Sequence, residues 1–301
     1  AVKFQTFAAE RIVADTPTRA KYLDAVLPPD KSMSDLFREL ELPREWHAEL
    51  FEHATAAGLD FLSTPFDFEA VSLLDDLGVK AFKVASYELW HLPLIREVAS
   101  RGKPIICSTG MADMADVQDA VDTVAETGNE QLILLHCVVN YPPPFRDLNL
   151  RAIETLRRAF GVPVGYSDHS SGWTAPVVAT ALGAAVIEKH FTLSRDLPGP
   201  DHRFALEPSE LRSMVAAIRD AQAALGDGIK RMAEAERDLY RTARRSLFAA
   251  RDIDAGTVIS EVDIAILRPG TGLEVRELPS LIGRTARRRI ERHEPLAWEM
   301  F

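Results

Sequence analysis

Val164-Gly165-Tyr166-Ser167-Asp168-His169 and Val186-Ile187-Glu188-Lys189-His190 are two consecutive apolar runs, each ending on charged side chains and a histidine. A short apolar run bounded by turn residues reads as a buried strand, and polar groups clustered at its end place chemistry at one edge of a sheet. The same figure recurs upstream, at 1–7, 59–64, 81–86, 104–109 and 132–137, while the strand runs 162–167 and 185–192 overlap the two quoted stretches. Between the runs lie segments of helical period, such as Phe68-Glu-Ala-Val-Ser-Leu-Leu-Asp-Asp-Leu77. Alternation of strand and helix predicts a parallel sheet.

A closed parallel barrel of this kind uses eight strands. Seven are legible, the last helix falls at 208–225, and Ala1 stands inside a strand-like run. The expected fold is therefore α/β: a (β/α)8 TIM barrel over 1–228, lacking in this chain its first strand and helix, which are expected to precede Ala1. Beyond Gly226-Asp-Gly228 the rhythm changes. A charged helical linker is expected at 229–245. A small β-rich domain is expected at 246–301, where short runs such as 247–250 and 257–259 alternate with the turn signals Asp254-Ala-Gly256, Arg268-Pro-Gly270 and Leu281-Ile-Gly283.

The 301 residues are 47% hydrophobic and 27% charged, ordinary for a globular protein, and no apolar stretch approaches the roughly 20 residues that span a bilayer. A net charge of −10 argues against binding a phosphate backbone, so neither nucleic acid nor membrane is expected as a partner. The two cysteines, Cys107 and Cys137, lie inside strand runs. They read as buried small hydrophobes in a reducing, cytoplasmic protein.

His169 and His190, on adjacent strand ends, suit a divalent cation held by two imidazoles with positions left for water and substrate. Lys83, with Thr64, Ser86, Ser108 and Ser167, offers an ammonium and four hydroxyls from five different strands, a cradle for phosphate and carboxylate. Each hydroxyl alone reads equally as a turn former or helix cap. Lys3 and Gln5 share one face of the first strand.

The motifs Val2-Lys-Phe-Gln-Thr6, Leu62-Ser-Thr-Pro-Phe-Asp67, Lys83-Val-Ala-Ser86 with Glu88, Ser108-Thr-Gly110-Met111, His136-Cys137 with Tyr141-Pro142, Gly165-Tyr-Ser-Asp-His169, Glu188-Lys-His-Phe-Thr192 and Gly199-Pro-Asp-His202 together resemble the N-acetylneuraminate (sialic acid) synthase family. The C-terminal motifs, Arg245-Ser-Leu, Asp254-Ala-Gly256, Arg268-Pro-Gly-Thr-Gly272 and Leu281-Ile-Gly283, resemble the antifreeze-like (SAF) domain of those synthases. The resemblance implies condensation of phosphoenolpyruvate with N-acetylmannosamine to give N-acetylneuraminate and phosphate, with Mn²⁺ or Mg²⁺ as the metal. A synthase of a related nonulosonic acid, legionaminic or pseudaminic, is the alternative, and an inactive sugar-binding homologue is a third reading.

By resemblance Lys3 and Gln5 face phosphoenolpyruvate and the sugar, Asp201 and Tyr141 contact the amino sugar, and Glu88 lies in the cleft for proton transfer or hydrogen bonding. Glu88 also reads as a loop salt-bridge partner. Arg268 resembles the arginine that the C-terminal domain places over the sugar site of the other subunit, which implies a domain-swapped homodimer. The family's glutamate in an Ala-Glu-Ile-Gly type motif is expected upstream of Ala1. Val139 stands where the family often has Ser or Asn, with Asn140 beside it.

Overall fold

The computed structural model describes residues 1–16 and 31–301 and divides into two units, Ala1–Gly226 and Asp227–Phe301. In the first, seven strands among the described residues follow one another in chain order: β1 (Val2–Thr6), β2 (Phe61–Pro65), β3 (Phe82–Val84), β4 (Ile105–Ser108), β5 (Leu132–Cys137), β6 (Val164–Asp168) and β7 (Ile187–Lys189). All pairings are parallel, β1 with β2 and β3 through β7 in sequence, and β2 runs beside β3. The result is a parallel half-barrel wall. β1 and β7 stand at the two ends of this order, and no ladder joins them among the described residues. Even so, Lys3 of β1 meets Glu188 of β7 at 3.3 Å.

Each strand sorts its side chains by parity. Phe61, Phe82, Val84, Ile105, Cys107, Leu132, Leu134, Val164 and Tyr166 join helix residues such as Val71, Leu74, Ile95, Val98, Val117 and Ile153 in one core. The opposite parity carries the polar groups: Lys3, Thr64, Lys83, Ser108, Ser167 and Glu188. Space inside the wall is tight. A Cβ at Gly165 would come within 2.3 Å of the Val186 carbonyl and 2.6 Å of Leu135 Cδ2, so only glycine fits that layer.

The helices are cut where local chemistry dictates. Asp67 caps Phe68–Leu77 by accepting from the Ala70 amide at 2.7 Å, and Gly78 ends that helix in the left-handed region. Asp113 and Asp116 form a capping box at the start of Met114–Ala125. The helix expected at 208–225 is present as Pro208–Leu225, with proline at its first turn. Residues 185–192 yield only a three-residue strand, because Phe191 leaves the ladder to bridge Leu206.

In the second unit β8 (Ser246–Ala249) pairs antiparallel with β9 (Ile264–Leu267), and Leu247, Ile253, Ile259, Leu281, Ile290 and Leu296 fill its core. The segment read as a linker helix is shorter than expected: a single turn at Glu234–Glu236 followed by Arg237–Thr242. It packs within the second unit, where the Gly270 amide donates to the Arg241 carbonyl at 2.8 Å and Arg244 pairs with Glu274.

Candidate active site

Side chains of β1, β3, β4 and β7 converge on a cluster of charges. Lys83 is almost fully buried; its ammonium donates to the Val84 carbonyl at 2.9 Å and the Ser108 hydroxyl at 2.7 Å, and lies 3.4 Å from Glu188. Lys3 reaches the other oxygen of the same carboxylate at 3.3 Å. Burial acts to raise the pKa of Glu188, but the ammonium groups of Lys83 and Lys3 outweigh it and hold the carboxyl down at about 2. On Lys3 burial wins and lowers the pKa. Flanked by two cations, Glu188 is ionised at neutral pH. Its Oε2 is buried and accepts no hydrogen bond. Two lysines share one carboxylate, Ser108 bonds one of them, and Ser86, Ser167 and Thr64 are buried on the neighbouring strand ends.

Beside this cluster stand the two histidines, ring centroids 5.2 Å apart. His169 Nδ1 lies 3.0 Å from the Val138 carbonyl, and His190 Nδ1 lies 3.4 Å from Asp201 Oδ2. An Nδ1–H donated to each acceptor leaves the Nε2 lone pairs free. Burial lowers both pKa values, and the neighbouring His169 helps bring His190 down to about 3. Both rings are therefore neutral at pH 7, the form a metal needs. The donor set fits a divalent cation. Among the described residues no group of three or more His, Cys, Asp or Glu forms a cage, so water and substrate would complete the coordination.

Tyr141 packs its ring 4.5 Å from His169 and 5.4 Å from Phe204, and Arg203 donates to its carbonyl at 3.1 Å. Asp201 is displayed by a turn anchored through His202, whose ring meets the Thr192 hydroxyl at 2.7 Å. Its side chain is 54% open to solvent, yet burial among its neighbours raises its pKa.

Glu88 closes the turn Ser86–Glu88 after β3, and burial pushes its carboxyl up to about 7 from 4.5. The sign follows: across pH 4.5 to 7 the folded state binds more protons than the unfolded one, so stability falls as pH rises. Glu88→Gln is expected to stabilise the protein at pH 8 by about 1–2 kcal/mol, the full shift discounted for partial exposure. The gain should vanish near pH 4.5. Urea unfolding at both pH values checks this, and an equal effect at each would refute it.

The structure thus brings Lys3, Lys83, Ser108, Tyr141, His169, His190 and Asp201 into one neighbourhood, and Ser86 joins by accepting from the Gly110 amide at 2.9 Å. Gln5 is exposed on β1 in register with buried Thr64. Arg268 is exposed just beyond β9 in the second unit. Val139 stands over Gly110, where a Cβ would meet its Cγ2 at 2.4 Å; Asn140 instead accepts from the Tyr141 amide at 2.9 Å. Two groups were not read from sequence as members of the site. Glu188 had a signal, its i, i+2 spacing to His190 on one strand face. Cys137, 3.8 Å from His169 Nδ1, had none beyond its strand-end position.

The family described as the NeuB family matches residues 1–230, and a SAF domain matches 244–301. An N,N'-diacetyllegionaminic acid synthase of Legionella pneumophila is 40% identical over 99% of this chain and 85% of its own length. A pseudaminic acid synthase of Helicobacter pylori is 36% identical over 98% of this chain and 87% of its own length. A crystal structure of N-acetylneuraminic acid (sialic acid) synthetase from Leptospira borgpetersenii, in complex with citrate, superposes with a TM-score of 0.71 at 32% identity, covering 79% of this chain and 78% of that one. No helix among the described residues is long and apolar enough to cross a membrane.

Proposed function

The chain belongs to the NeuB family and carries a SAF domain, and from that premise we propose that it condenses phosphoenolpyruvate with an N-acetylated aldose to form a nonulosonic acid and inorganic phosphate. The observation that carries this reading is the Lys3–Glu188–Lys83 cluster beside two neutral imidazoles at one end of the strand wall. The expectation of N-acetylmannosamine is revised. The relatives with legionaminic and pseudaminic products match this chain at 40% and 36%, the sialic acid synthetase at 32%. A product with two N-acetyl groups requires an aldose bearing both nitrogens, because phosphoenolpyruvate has none. We therefore place a diacetamido aldose ahead of N-acetylmannosamine as the substrate.

In the proposed reaction the enol carbon of phosphoenolpyruvate bonds to the aldehyde carbon of the open-chain sugar. Water adds to the resulting oxocarbenium carbon, and the C–O bond to phosphate breaks. Lys3 and Lys83 neutralise the phosphate and carboxylate, and the serine and threonine hydroxyls orient them. Glu188 ties the two ammonium groups together, one on each carboxylate oxygen, and so fixes where they meet the substrate. Asp201 and Tyr141 receive the sugar, and Glu88, close to half-protonated at neutral pH, can either donate to or accept from a hydroxyl. His169 and His190 would hold Mn²⁺ or Mg²⁺, which when bound supplies Lewis-acid polarisation of the aldehyde oxygen. In a homodimer, Arg268 of one subunit would hold the sugar of the other, so Arg268→Ala should raise KM for the sugar about tenfold or more and leave KM for phosphoenolpyruvate within about twofold. Steady-state kinetics with each substrate varied checks this, and equal damage to both constants would contradict it.

The test is phosphate release from phosphoenolpyruvate by the intact protein with Mn²⁺ and a panel of mono- and diacetamido aldoses. A kcat/KM at least about tenfold higher with a diacetamido aldose than with N-acetylmannosamine is expected. Preference for N-acetylmannosamine would return the sialic acid reading. Silence with every sugar would leave a sugar-binding homologue.

A further inference from the structure

Directly behind the two histidines, on the helix side of the wall, lies a buried ion pair that the proposed chemistry does not use. Lys189 donates to Asp168 Oδ2 at 2.6 Å, with side-chain exposures of 2% and 0%. The other carboxylate oxygen accepts from the Tyr166 hydroxyl at 3.0 Å and the Ser170 amide at 2.9 Å, and Lys189 also donates to the Ser170 carbonyl. A buried ion pair is poor evidence for stability, since apolar residues of like volume commonly do as well. Here its neighbours along the chain are informative. Asp168 and Ser170 flank His169, and Lys189 immediately precedes His190. One ammonium therefore clamps both sides of the arc that carries the first histidine, while its own backbone leads straight into the second. Strand register makes this possible, because Asp168 and Lys189 are Cα partners between β6 and β7.

We propose that Lys189, acting through Asp168 and Ser170, is a positioning residue that sets the separation of His169 and His190 and thereby tunes the divalent-cation site. This rests on the metal reading above and extends it to a side chain that touches neither metal nor substrate. A tie of this kind fixes ligand geometry in advance, and disturbing outer-shell partners of metal ligands commonly costs about 10- to 100-fold in affinity.

The test compares Mn²⁺ binding, by paramagnetic resonance and calorimetry, in the intact protein, in Lys189→Met combined with Asp168→Asn, and in Tyr166→Phe. The double variant removes both charges together, so neither is left buried alone, and the introduced carboxamide keeps an oxygen for the Ser170 amide. It is expected to fold, by circular dichroism, and to bind Mn²⁺ about 10- to 100-fold more weakly. Tyr166→Phe breaks a bond to the same carboxylate without untying the histidines, so it should lower Tm yet leave Mn²⁺ affinity within about twofold. A role in stability alone predicts that both variants lose Tm and neither loses affinity. If the double variant does not fold, Asp168→Asn alone should weaken Mn²⁺ several-fold, and unchanged affinity there overturns the proposal. Intact protein that binds Mn²⁺ while the folded double variant binds it equally well overturns the positioning role only. Intact protein that binds no Mn²⁺ overturns this role and the metal reading together.

Discussion

Exchange of His190 for alanine should reduce turnover with Mn²⁺ by about a thousandfold, because Lewis-acid stabilisation of the developing charge contributes several kcal/mol and each 1.36 kcal/mol is about tenfold in rate. The fold should survive. His190 is held neutral by burial and its partner Asp201 keeps solvent access, so no buried charge is left unpaired by the change. Tm should therefore stay within about 3 °C, a shift below about 1 kcal/mol for a domain of this size. The measurement is phosphate release as a function of Mn²⁺ with a chelator control, alongside a thermal melt. Turnover at the level of the intact protein would sink the assignment of the two imidazoles.

Lys83→Met should have an effect of similar size on the other half of the site. The ammonium is buried, bonded to the Val84 carbonyl and Ser108 and paired with Glu188, so its loss removes a fixed positive charge from a place water does not reach freely. We expect kcat/KM for phosphoenolpyruvate to fall about 10³-fold, by analogy with loss of one preorganised donor, and KM for the sugar to change little. Glu188 retains Lys3 as a partner, which limits the stability loss to about 1–3 kcal/mol. A KM for phosphoenolpyruvate within about threefold of the original, with kcat preserved, would contradict the cradle.

The wall was legible because parallel strands covered on both faces read as continuous apolar runs, so 132–137 coincides with β5, Leu132–Cys137. The ends were less so: 185–192 shrank to Ile187–Lys189 because Phe191 pairs with Leu206 in a bridge no local pattern announces. At the site, His169, His190 and Lys83 were legible as polar groups terminating apolar runs. Glu188 sat in plain view between them but takes its meaning from Lys3 on a strand more than 180 residues away in the chain. The Lys189–Asp168 tie required the register of β6 against β7, which periodicity within one strand does not contain. The 229–245 segment, expected as a helical linker, is helical only over 234–242, and its partners, Gly270 and Glu274, come later in the chain.

The glycine in β6 carries a lesson for anyone wishing to redirect this protein toward another sugar. Adding even one methyl at Gly165 would press on the backbone of the chain segment leading into β7, which bears Glu188 and runs on into His190, and Gly110 is crowded by the side chains of Val139 and Ser86. These glycine positions are thus a foundation, not a workbench. Variant libraries that recut them would displace the strand carrying Glu188 before changing what the site accepts, so new substrate preference is best sought around Glu88, Tyr141 and the Asp201 turn.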